Sequence, residues 1–307
     1  MKIDLKSKAP TPAAAFLDMM GGSKPEGGIV QLNIDNLRPF SSAKYPTQPF
    51  RQYSRQKLSE LADSISANGL LSPVIVRPMP NEGTYQILAG HNRTAAAKLA
   101  GLTTIPCIVR EVDDDIAIMI LTDTNLNQRE NILPSEKAFA YKMQMEAIKH
   151  QGQRNDLATS RTLCAKSDAG AVIADRNNES KRNIQYYIRL TYLIKPLLDL
   201  VDSEDIPFRA GVNISYLTED QQQVLYDYCA ANETRINLRY SEQIKALADS
   251  GEFSEQTLDE LFRAKERRPP RSIKVPMKSI RQYFDGMDDQ QITRKVIEII
   301  RHHYDAG

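Results

Sequence analysis

The hydrophobic pattern of this chain changes once, near Pro134, and that change constrains its fold more than any other feature. Before it, three short runs rich in β-branched residues, PVIVRP, YQILAG and IPCIVRE, occur among helical stretches. After it, apolar residues recur only at helical spacing, as far as about Leu261. The pattern predicts an α+β chain, with a small α/β domain at residues 30–131 and an all-helical domain at residues 132–262.

Start and stop residues place the helices of these domains. Ser54 can cap a helix that ends at Asn68 and Gly69, and a second helix spans Arg93 to Ala100. Further helices are predicted to begin after Asp113, whose side chain can cap the run DDIAIMILTDTN, and at Pro134-Ser135, with Gly152 closing the latter. The strands and helices of residues 30–131 therefore alternate, as in a layered α/β fold.

The two ends of the chain differ from its middle in composition and charge. Residues 1–29 hold PTPAAA and GGSKPEGG, which predicts a flexible tail with one short helix near Ala13 to Met20. Residues 202–261 carry 13 acidic and 4 basic residues, whereas residues 262–284 carry 8 basic and 1 acidic. This asymmetry indicates either a polyanionic partner or two blocks that pack on each other. Residues 263–307 are predicted to be a basic linker followed by a short C-terminal α/β or helical segment, with a strand at Ile273 to Val275 and a helix at Gln290 to Tyr304.

Several classes of protein are disfavoured by what the chain lacks. Its apolar runs are shorter than the roughly 18 residues needed to span a bilayer. Its three cysteines have no CxxC spacing, and its four histidines form no HExxH motif. We therefore expect a cytoplasmic protein, with neither a disulfide framework nor a histidine-based metal hydrolase site.

A strand-turn-helix junction is the first candidate site. Gly90 lies where YQILAG leaves a strand, and His91, Asn92 and Arg93 fall in the first turn of the following helix. Such a turn exposes backbone N–H groups and the positive end of the helix dipole, which suits an anion. An ordinary packing turn is the alternative.

A polar run between two helices is the second candidate site. Asn125, Asn127, Gln128 and Arg129 offer donors to phosphate or ribose oxygens. The carboxylates of Asp123 and Glu130, which flank these residues, could hold Mg²⁺ through water. A solvated turn between domains is the alternative.

A helix-turn-helix is the third candidate site, at about residues 168–191. Two short helices flank the turn Asn177 to Glu179, and Ser180 can cap the second helix. The inward stripe of that helix is predicted to be Ile184, Tyr187, Ile188 and Leu190 or Thr191. Its DNA-facing residues are predicted to be Ser180, Lys181, Arg182, Gln185, Tyr186 and Arg189. An amphipathic helix pair that serves only packing is the alternative.

The order of these motifs is similar to that of the ParB family of DNA partition proteins. The resemblance rests on QPFR, LSELADSISANGLLSPVIVRP, ILAGHNR, NLNQRENILPSEKA and the helix-turn-helix, over about Leu32 to Leu217. The spelling LPSEKAFAYKMQMEAIKHQG and the C-terminal IKVPMKSIRQYF look most like the ParB-like proteins of plasmids and conjugative elements. The resemblance implies an N-terminal domain that binds CTP with Mg²⁺, a helix-turn-helix that binds an inverted-repeat DNA site, and a homodimer. It also implies a nucleoid-associated location and a partition ATPase that contacts the N-terminal tail.

The nucleotide-binding residues carry over with departures. The triphosphate motif of the family falls on Gly90 to Arg93, where the Gly and the last Arg are kept. Ala95 stands where the motif has a further basic residue. Its Gln-Pro-Arg motif reads Gln48-Pro49-Phe50-Arg51, with an inserted Phe, and its second polar motif reads Asn-Leu-Asn-Gln-Arg at residues 125–129. The resemblance implies nucleotide contacts from Gln48, Arg51, Gly90, His91, Asn92, Arg93, Asn125, Asn127, Gln128 and Arg129. With cations and metal ligands lost, CTP binding is expected, hydrolysis is expected to be weak at most, and no catalytic residue is assigned.

The sequence thus predicts a DNA-binding partition or segregation protein of a mobile element, switched by CTP. Two other functions fit the same motifs. One is a helix-turn-helix transcription regulator with no partition role. The other is a nucleotide-dependent kinase or phosphatase, for which His91 beside Arg93 is the candidate base.

Overall fold

The computed structural model describes residues 28–42, 45, 48–80, 83–129, 131–153, 169–263, 281, 283–284 and 286–304. The N-terminal tail up to residue 27, the helix predicted near Ala13, the basic linker and the strand predicted at Ile273 to Val275 lie outside these residues. The chain divides into two compact units, residues 1–258 and residues 259–307.

The described elements alternate at first and are then helical. The strands are β1 (Val30–Asn33), β2 (Leu37–Arg38), β3 (Val74–Pro78), β4 (Tyr85–Ala89) and β5 (Thr104–Val109). The helices of the α/β part are α1 (Arg55–Asn68), α2 (His91–Leu99) and α3 (Asp114–Gln128). Those that follow are α4 (Pro134–Gln153), α5 (Ala169–Arg176), α6 (Lys181–Leu190), α7 (Lys195–Asp202), α8 (Phe208–Ile214), α9 (Glu219–Ala231), α10 (Leu238–Ser250), α11 (Glu255–Arg263) and α12 (Asp289–Tyr304). The predicted change from mixed to helical structure near Pro134 is confirmed.

Five strands form one mixed sheet in the order β1-β5-β3-β4-β2. The β3 and β5 strands are parallel, as are β2 and β4, whereas β1 with β5 and β3 with β4 are antiparallel. The edge strands β1 and β2 were not predicted. The β1 strand is mostly exposed, and β2 has only two residues, so neither shows the alternating pattern of a half-buried strand.

Helices cover both faces of the sheet. Ile87 of β4 lies in a buried cluster with α1 and α2, and its neighbour Leu88 lies in a second cluster with α3 and α4. Successive strand residues point to opposite faces, so these two positions define a three-layer arrangement. The second cluster contains Ala117 to Leu121 and also Ala140, Met143 and Ala147 of α4. The α/β part and the first long helix of the helical part therefore share a core.

The predicted caps are confirmed. The Ser54 hydroxyl accepts a hydrogen bond from the Lys57 N–H (3.3 Å), and Asp113 Oδ1 accepts one from the Ile116 N–H (2.9 Å). Gly69 follows α1 with φ +73°, a backbone conformation that favours glycine. These local signals fix where the helices begin and end, as the sequence predicted.

In the C-terminal unit, α12 begins one residue before the predicted start. The carboxylate of Asp288 accepts hydrogen bonds from the N–H groups of Gln290 (2.9 Å) and Gln291 (2.8 Å). Ile292 is buried, whereas Ile299 is about half exposed. Among the described residues, none of the helices combines the length and the apolar character needed to cross a membrane.

Candidate functional site

The predicted strand-turn-helix junction is present at Gly90. Gly90 precedes α2 with φ +105°, and its carbonyl accepts hydrogen bonds from the Thr94 N–H (2.8 Å) and hydroxyl (3.1 Å). A Cβ atom built on Gly90 would lie 3.1 Å from Val74 Cγ2 and 3.2 Å from Arg93 Nη2. Glycine is required here both by the left-handed backbone and by the lack of space.

Two neighbouring cavities lie beside this turn. One, of about 240 Å³, is lined by Tyr53, Leu61, Ala89, Gly90, His91, Asn92, Arg93, Thr124, Asn125 and Arg129. The other, of about 280 Å³, is lined by Ile34, Leu37, Pro39, Gln48, Gln52, Ile87, His91, Asn92, Thr94, Ala95, Lys98 and Arg129. They share His91, Asn92 and Arg129. The first cavity is next to the start of α2 and so suits an anion, and the second, with several apolar lining residues, suits a ring.

His91 lies between the cavities as a neutral side chain. Burial, and then the charge of Arg129, lower its pKa to about 4. Its Nε2 lies 3.5 Å from the backbone N–H of Phe40, which donates to it. At neutral pH this imidazole is therefore a hydrogen-bonding group, not an anion-binding cation.

The cations near the turn are held by backbone carbonyls. Arg93 Nη1 donates to the carbonyls of Ser72 (2.8 Å) and Pro73 (2.9 Å). Arg129 Nη1 donates to the Arg51 carbonyl (2.9 Å), and its guanidinium lies over the rings of Phe50 (5.3 Å) and Tyr53 (5.4 Å). Both arginines keep their charge in these contacts, since a carbonyl or a ring does not neutralise it.

The structure brings together most of the predicted nucleotide-binding residues but not all of them. Those lining the cavities are Gln48, Gly90, His91, Asn92, Arg93, Asn125 and Arg129. Arg51 is directed elsewhere, because its guanidinium pairs with Asp202 (3.0 Å). Asn127 is exposed and donates to the Asp123 carbonyl one turn earlier (2.9 Å). Gln128 is the last residue of α3.

One buried acceptor atom in the larger cavity has no hydrogen-bond partner among the described residues. Gln48 Oε1 is buried and accepts no hydrogen bond from the described residues. A buried polar atom without a partner costs free energy, so a ligand that donates a hydrogen bond there would gain affinity. Gln52 and Tyr53 were not predicted to line the cavities. Both residues directly follow the QPFR motif in the sequence, and this position could have identified them. The extended chain before α1 runs along the pocket there.

Asp123, one of the two carboxylates predicted to hold Mg²⁺, is buried and contacts other side chains. The Asp123 carboxylate accepts a hydrogen bond from Gln144 Nε2 (2.7 Å) and lies 4.0 Å from Arg176 Nη1. Burial raises its pKa to about 6, against the opposing effects of these two partners. No carboxylate is among the residues described as lining either cavity, and no cluster of three or more His, Cys, Asp or Glu residues occurs in the described part of the chain. Glu130 lies outside the described residues.

The predicted pair of short helices is present as α5 and α6. The turn between them includes Asn178 with φ +52°, which asparagine adopts more readily than most residues. The Ser180 hydroxyl caps α6 by accepting from the Asn183 N–H (3.1 Å). Ile184 and Leu190 are buried, and the Tyr187 ring packs on Tyr141 of α4 (5.5 Å) and Phe208 of α8 (4.7 Å). The inward stripe therefore holds α6 against the rest of the helical part.

The residues predicted to face DNA fall into two groups. Ser180, Lys181, Arg182 and Gln185 are exposed. Tyr186 is half-buried, and its hydroxyl accepts a hydrogen bond from Arg182 Nε (2.5 Å). Arg189 differs from the prediction, because its guanidinium donates to the carbonyl (2.6 Å) and hydroxyl (3.2 Å) of Ser215 instead of extending outward.

Comparison with known proteins identifies part of this chain. The model of the ParB N-terminal domain family matches residues 20–126. The chain is 38% identical over 123 residues to the chromosome-partitioning protein Spo0J of Thermus thermophilus, and 39% identical over 139 residues to the probable chromosome-partitioning protein ParB of Vibrio cholerae. These matches cover 40% and 45% of this chain, and 43% and 45% of the two relatives. The chain thus spans less than half the length of these curated relatives.

Two solved structures of C-terminally truncated ParB from Caulobacter crescentus are also similar. In one, ParB is complexed to the centromeric parS site, and the likeness is 25% identity with a TM-score of 0.43, over 72% of this chain and 99% of that one. In the other, ParB is complexed with CTP-γ-S, and the likeness is 27% identity with a TM-score of 0.30, over 66% of this chain and 98% of that one.

Proposed function

We propose that the chain is a DNA-binding partition protein whose α/β part senses a nucleotide, starting from the match of residues 20–126 to the ParB N-terminal domain family. One observation carries the proposal. The same compact unit contains a pocket beside a glycine-capped helix start and a pair of short helices with exposed basic and amide side chains. The first feature suits phosphates, and the second suits the major groove.

The proposed nucleotide is CTP. The triphosphate would lie against the N–H groups at the start of α2, with Arg93 and Arg129 as its cations. The base would occupy the larger cavity, where Gln48 Oε1 can accept a hydrogen bond from an amino group such as that of cytosine. Because the described residues provide no carboxylate ligands in the pocket, we propose binding without efficient hydrolysis.

The proposed DNA site is an inverted repeat, bound by a homodimer. A two-fold protein places two recognition helices about one helical turn of DNA apart, so the site would repeat its symmetry. Lys181, Arg182 and Gln185 are the side chains of α6 with the exposure needed to reach base edges. We further propose that the chain serves a plasmid or conjugative element and meets a partition ATPase through residues 1–29.

Retention of DNA fragments tests this function. The purified protein is incubated with fragments of its source DNA at near-physiological salt, with and without CTP, and the retained DNA is sequenced. We expect one inverted repeat to be enriched, and CTP to change its occupancy or its spread to neighbouring DNA. UTP at the same concentration is the control for the nucleotide.

Enrichment that is the same with CTP, UTP or no nucleotide would contradict nucleotide sensing and favour a transcription regulator. Failure to enrich any fragment would contradict the DNA-binding role of α6.

A further inference from the structure

Three tyrosines and four basic side chains form one surface at α6. Three of these seven residues belong to α6, and the other four follow the helix-turn-helix in the chain. Arg209 of α8 lies over the ring of Tyr186, with Cζ 4.0 Å from its centroid. Arg189 lies over Tyr216 (4.1 Å) and Tyr192 (4.6 Å), and Lys245 Nζ of α10 lies 3.7 Å from the Tyr216 centroid. We call the set Arg182, Tyr186, Arg189, Tyr192, Arg209, Tyr216 and Lys245 the tyrosine-cation surface.

The surface is open to solvent and positively charged. Tyr192 and Tyr216 are 53% and 50% exposed, and Arg209 is also exposed. Within the described residues, neither Arg209 nor Lys245 makes an ion pair with a carboxylate. A cation that rests on a ring keeps its full charge, so these groups remain able to bind an external anion.

The surface adjoins the exposed face of α6. Arg182, Tyr186 and Arg189 follow one another at i, i+4 and i+7, which places them in one stripe along the helix. Lys181 directly precedes Arg182, and Gln185 directly precedes Tyr186. These two exposed residues form the neighbouring stripe of the helix. The ring of Tyr186 brings Arg209 next to this face, and Tyr216, which contacts both Arg189 and Lys245, continues the surface from the end of α6 to α10.

Basic residues are rare in the segment of the chain that supplies Arg209 and Lys245. Residues 202–261 carry 13 acidic and only 4 basic residues, namely Arg209, Arg235, Arg239 and Lys245. Two of the four lie against tyrosines of this surface: Arg209 against Tyr186 of α6, and Lys245 against Tyr216. In a segment with so strong an acidic excess, basic side chains at this one surface indicate a local anionic partner.

We propose that Arg209, Tyr216 and Lys245 bind the phosphate backbone of duplex DNA and so extend the interface of α6 beyond the helix-turn-helix. The inference rests on the proposed DNA-binding function. Such contacts fix the register of a recognition helix on the duplex without reading its sequence. The tyrosines hold the cations in place, which reduces the conformational entropy that a long side chain loses on binding.

Salt-dependent DNA binding by variants of the full chain tests the proposal. Arg209→Ala and Lys245→Ala are compared with Arg239→Ala, an exposed arginine on the same helix as Lys245 for which no contact with the surface is recorded. Affinities are measured for the enriched repeat and for unrelated DNA at several salt concentrations. We expect each surface variant to weaken both affinities by the same factor and to reduce the magnitude of the slope of log K against log salt by about 1.

The control variant separates a local site from a general charge effect. Arg239→Ala should keep the slope of the wild-type chain. An unchanged slope in Arg209→Ala and Lys245→Ala, or an equal change in Arg239→Ala, would overturn the proposal. Circular dichroism and thermal unfolding of all three variants establish that a loss of binding is not a loss of fold.

Gln185→Ala distinguishes this inference from the proposed function. This variant should lose preference for the repeat while its salt slope stays unchanged, because Gln185 carries no charge. If Gln185→Ala loses that preference and the surface variants bind normally, the chain binds DNA through α6 alone and only the present inference fails. If the wild-type chain binds no duplex DNA, the proposed function itself fails.

Discussion

Gly90 shows how one residue serves both the fold and the pocket. Its φ of +105° turns the chain from β4 into α2, and the absent side chain leaves room for Val74 and for the guanidinium of Arg93. The first-turn N–H groups of α2 consequently face the smaller cavity without a side-chain cap. A ligand phosphate can occupy the position that a cap would otherwise take.

We predict that Gly90→Ala lowers the free energy of unfolding by about 1 to 2 kcal/mol for the left-handed backbone, and by more for the crowding of Val74 and Arg93. It should also weaken nucleotide binding, because Arg93 must move. The matched control is Gly101→Ala, whose φ is +77° but whose Cβ would meet nothing within 4 Å. Urea unfolding and titration calorimetry measure the two effects. Equal destabilisation by the two variants would show that crowding at Gly90 is unimportant.

His91 is predicted to make stability depend on pH. Its pKa in the folded protein is about 4, below the ordinary 6.5, so the unfolded chain binds a proton first as the pH falls. Stability is therefore retained above pH 6.5 and is lost between pH 6.5 and 4, by about 2 to 3 kcal/mol from this group. His91→Gln, which keeps an acceptor but cannot gain the proton, should lose less stability over that range. Urea unfolding at pH 7 and pH 4.5 measures the difference, and an identical loss in both proteins would contradict the assigned pKa.

At the scale of elements, α7 and the start of α4 are joined by one carboxylate. Asp202, the last residue of α7, accepts hydrogen bonds from the Ser135 N–H (2.9 Å) and hydroxyl (2.6 Å) at the start of α4. It also pairs with Arg51 (3.0 Å), while the Arg51 N–H donates to Glu136 Oε1 (2.7 Å). A negative charge at a helix start is favourable, so Asp202 ties α4, α7 and the extended chain before α1 together.

Removing this carboxylate should destabilise the protein. We predict that Asp202→Ala lowers the free energy of unfolding by about 1 to 3 kcal/mol, because it leaves the Ser135 donors and the Arg51 guanidinium without their acceptor. Asp199→Ala on the same helix is the control, and it should cost less than about 1 kcal/mol because its side chain is 47% exposed. Chemical denaturation of the two variants tests the prediction, which an equal effect would contradict.

At the scale of the whole unit, a short chain of contacts leads from the pocket to the helical part. Arg129 lines both cavities and donates to the Arg51 carbonyl, and the Arg51 side chain reaches Asp202. A ligand that draws Arg129 towards its phosphates would therefore act on a residue that contacts α7. Under the proposed function, such a path would let a nucleotide alter DNA binding, provided that the two states differ in these contacts.

We predict that Arg129→Ala weakens CTP binding by about tenfold to a hundredfold, the loss of one charge-assisted contact of about 1.5 to 3 kcal/mol. It should also abolish the effect of CTP on DNA retention while leaving nucleotide-free DNA binding unchanged. Arg38→Ala is the control, since Arg38 is exposed and lines neither cavity. Normal CTP-dependent retention by Arg129→Ala would contradict the role of this residue in coupling.

Local features of this fold followed from the sequence. The caps at Ser54, Asp113 and Ser180, the glycine turn at Gly90 and the paired helices α5 and α6 were all predicted, and the structure confirms each. These features depend on residues within a few positions of one another, and the sequence displays such relations directly. The edge strands β1 and β2 were missed because their pairing with distant strands, and not their own pattern, makes them strands.

Long-range contacts decided the rest. Arg51, Asp123 and Arg189 have the chemistry of site residues, but the structure gives them partners at Asp202, Gln144 and Ser215. Arg209 and Lys245 lie in an acidic stretch that gave no sign of an anion-binding surface, yet helix packing places them beside α6. The sequence by itself determined which local elements form and which chemistries are present. Only the tertiary structure decided which charged side chains remain available to a ligand, because packing between distant helices selects the partner of each one.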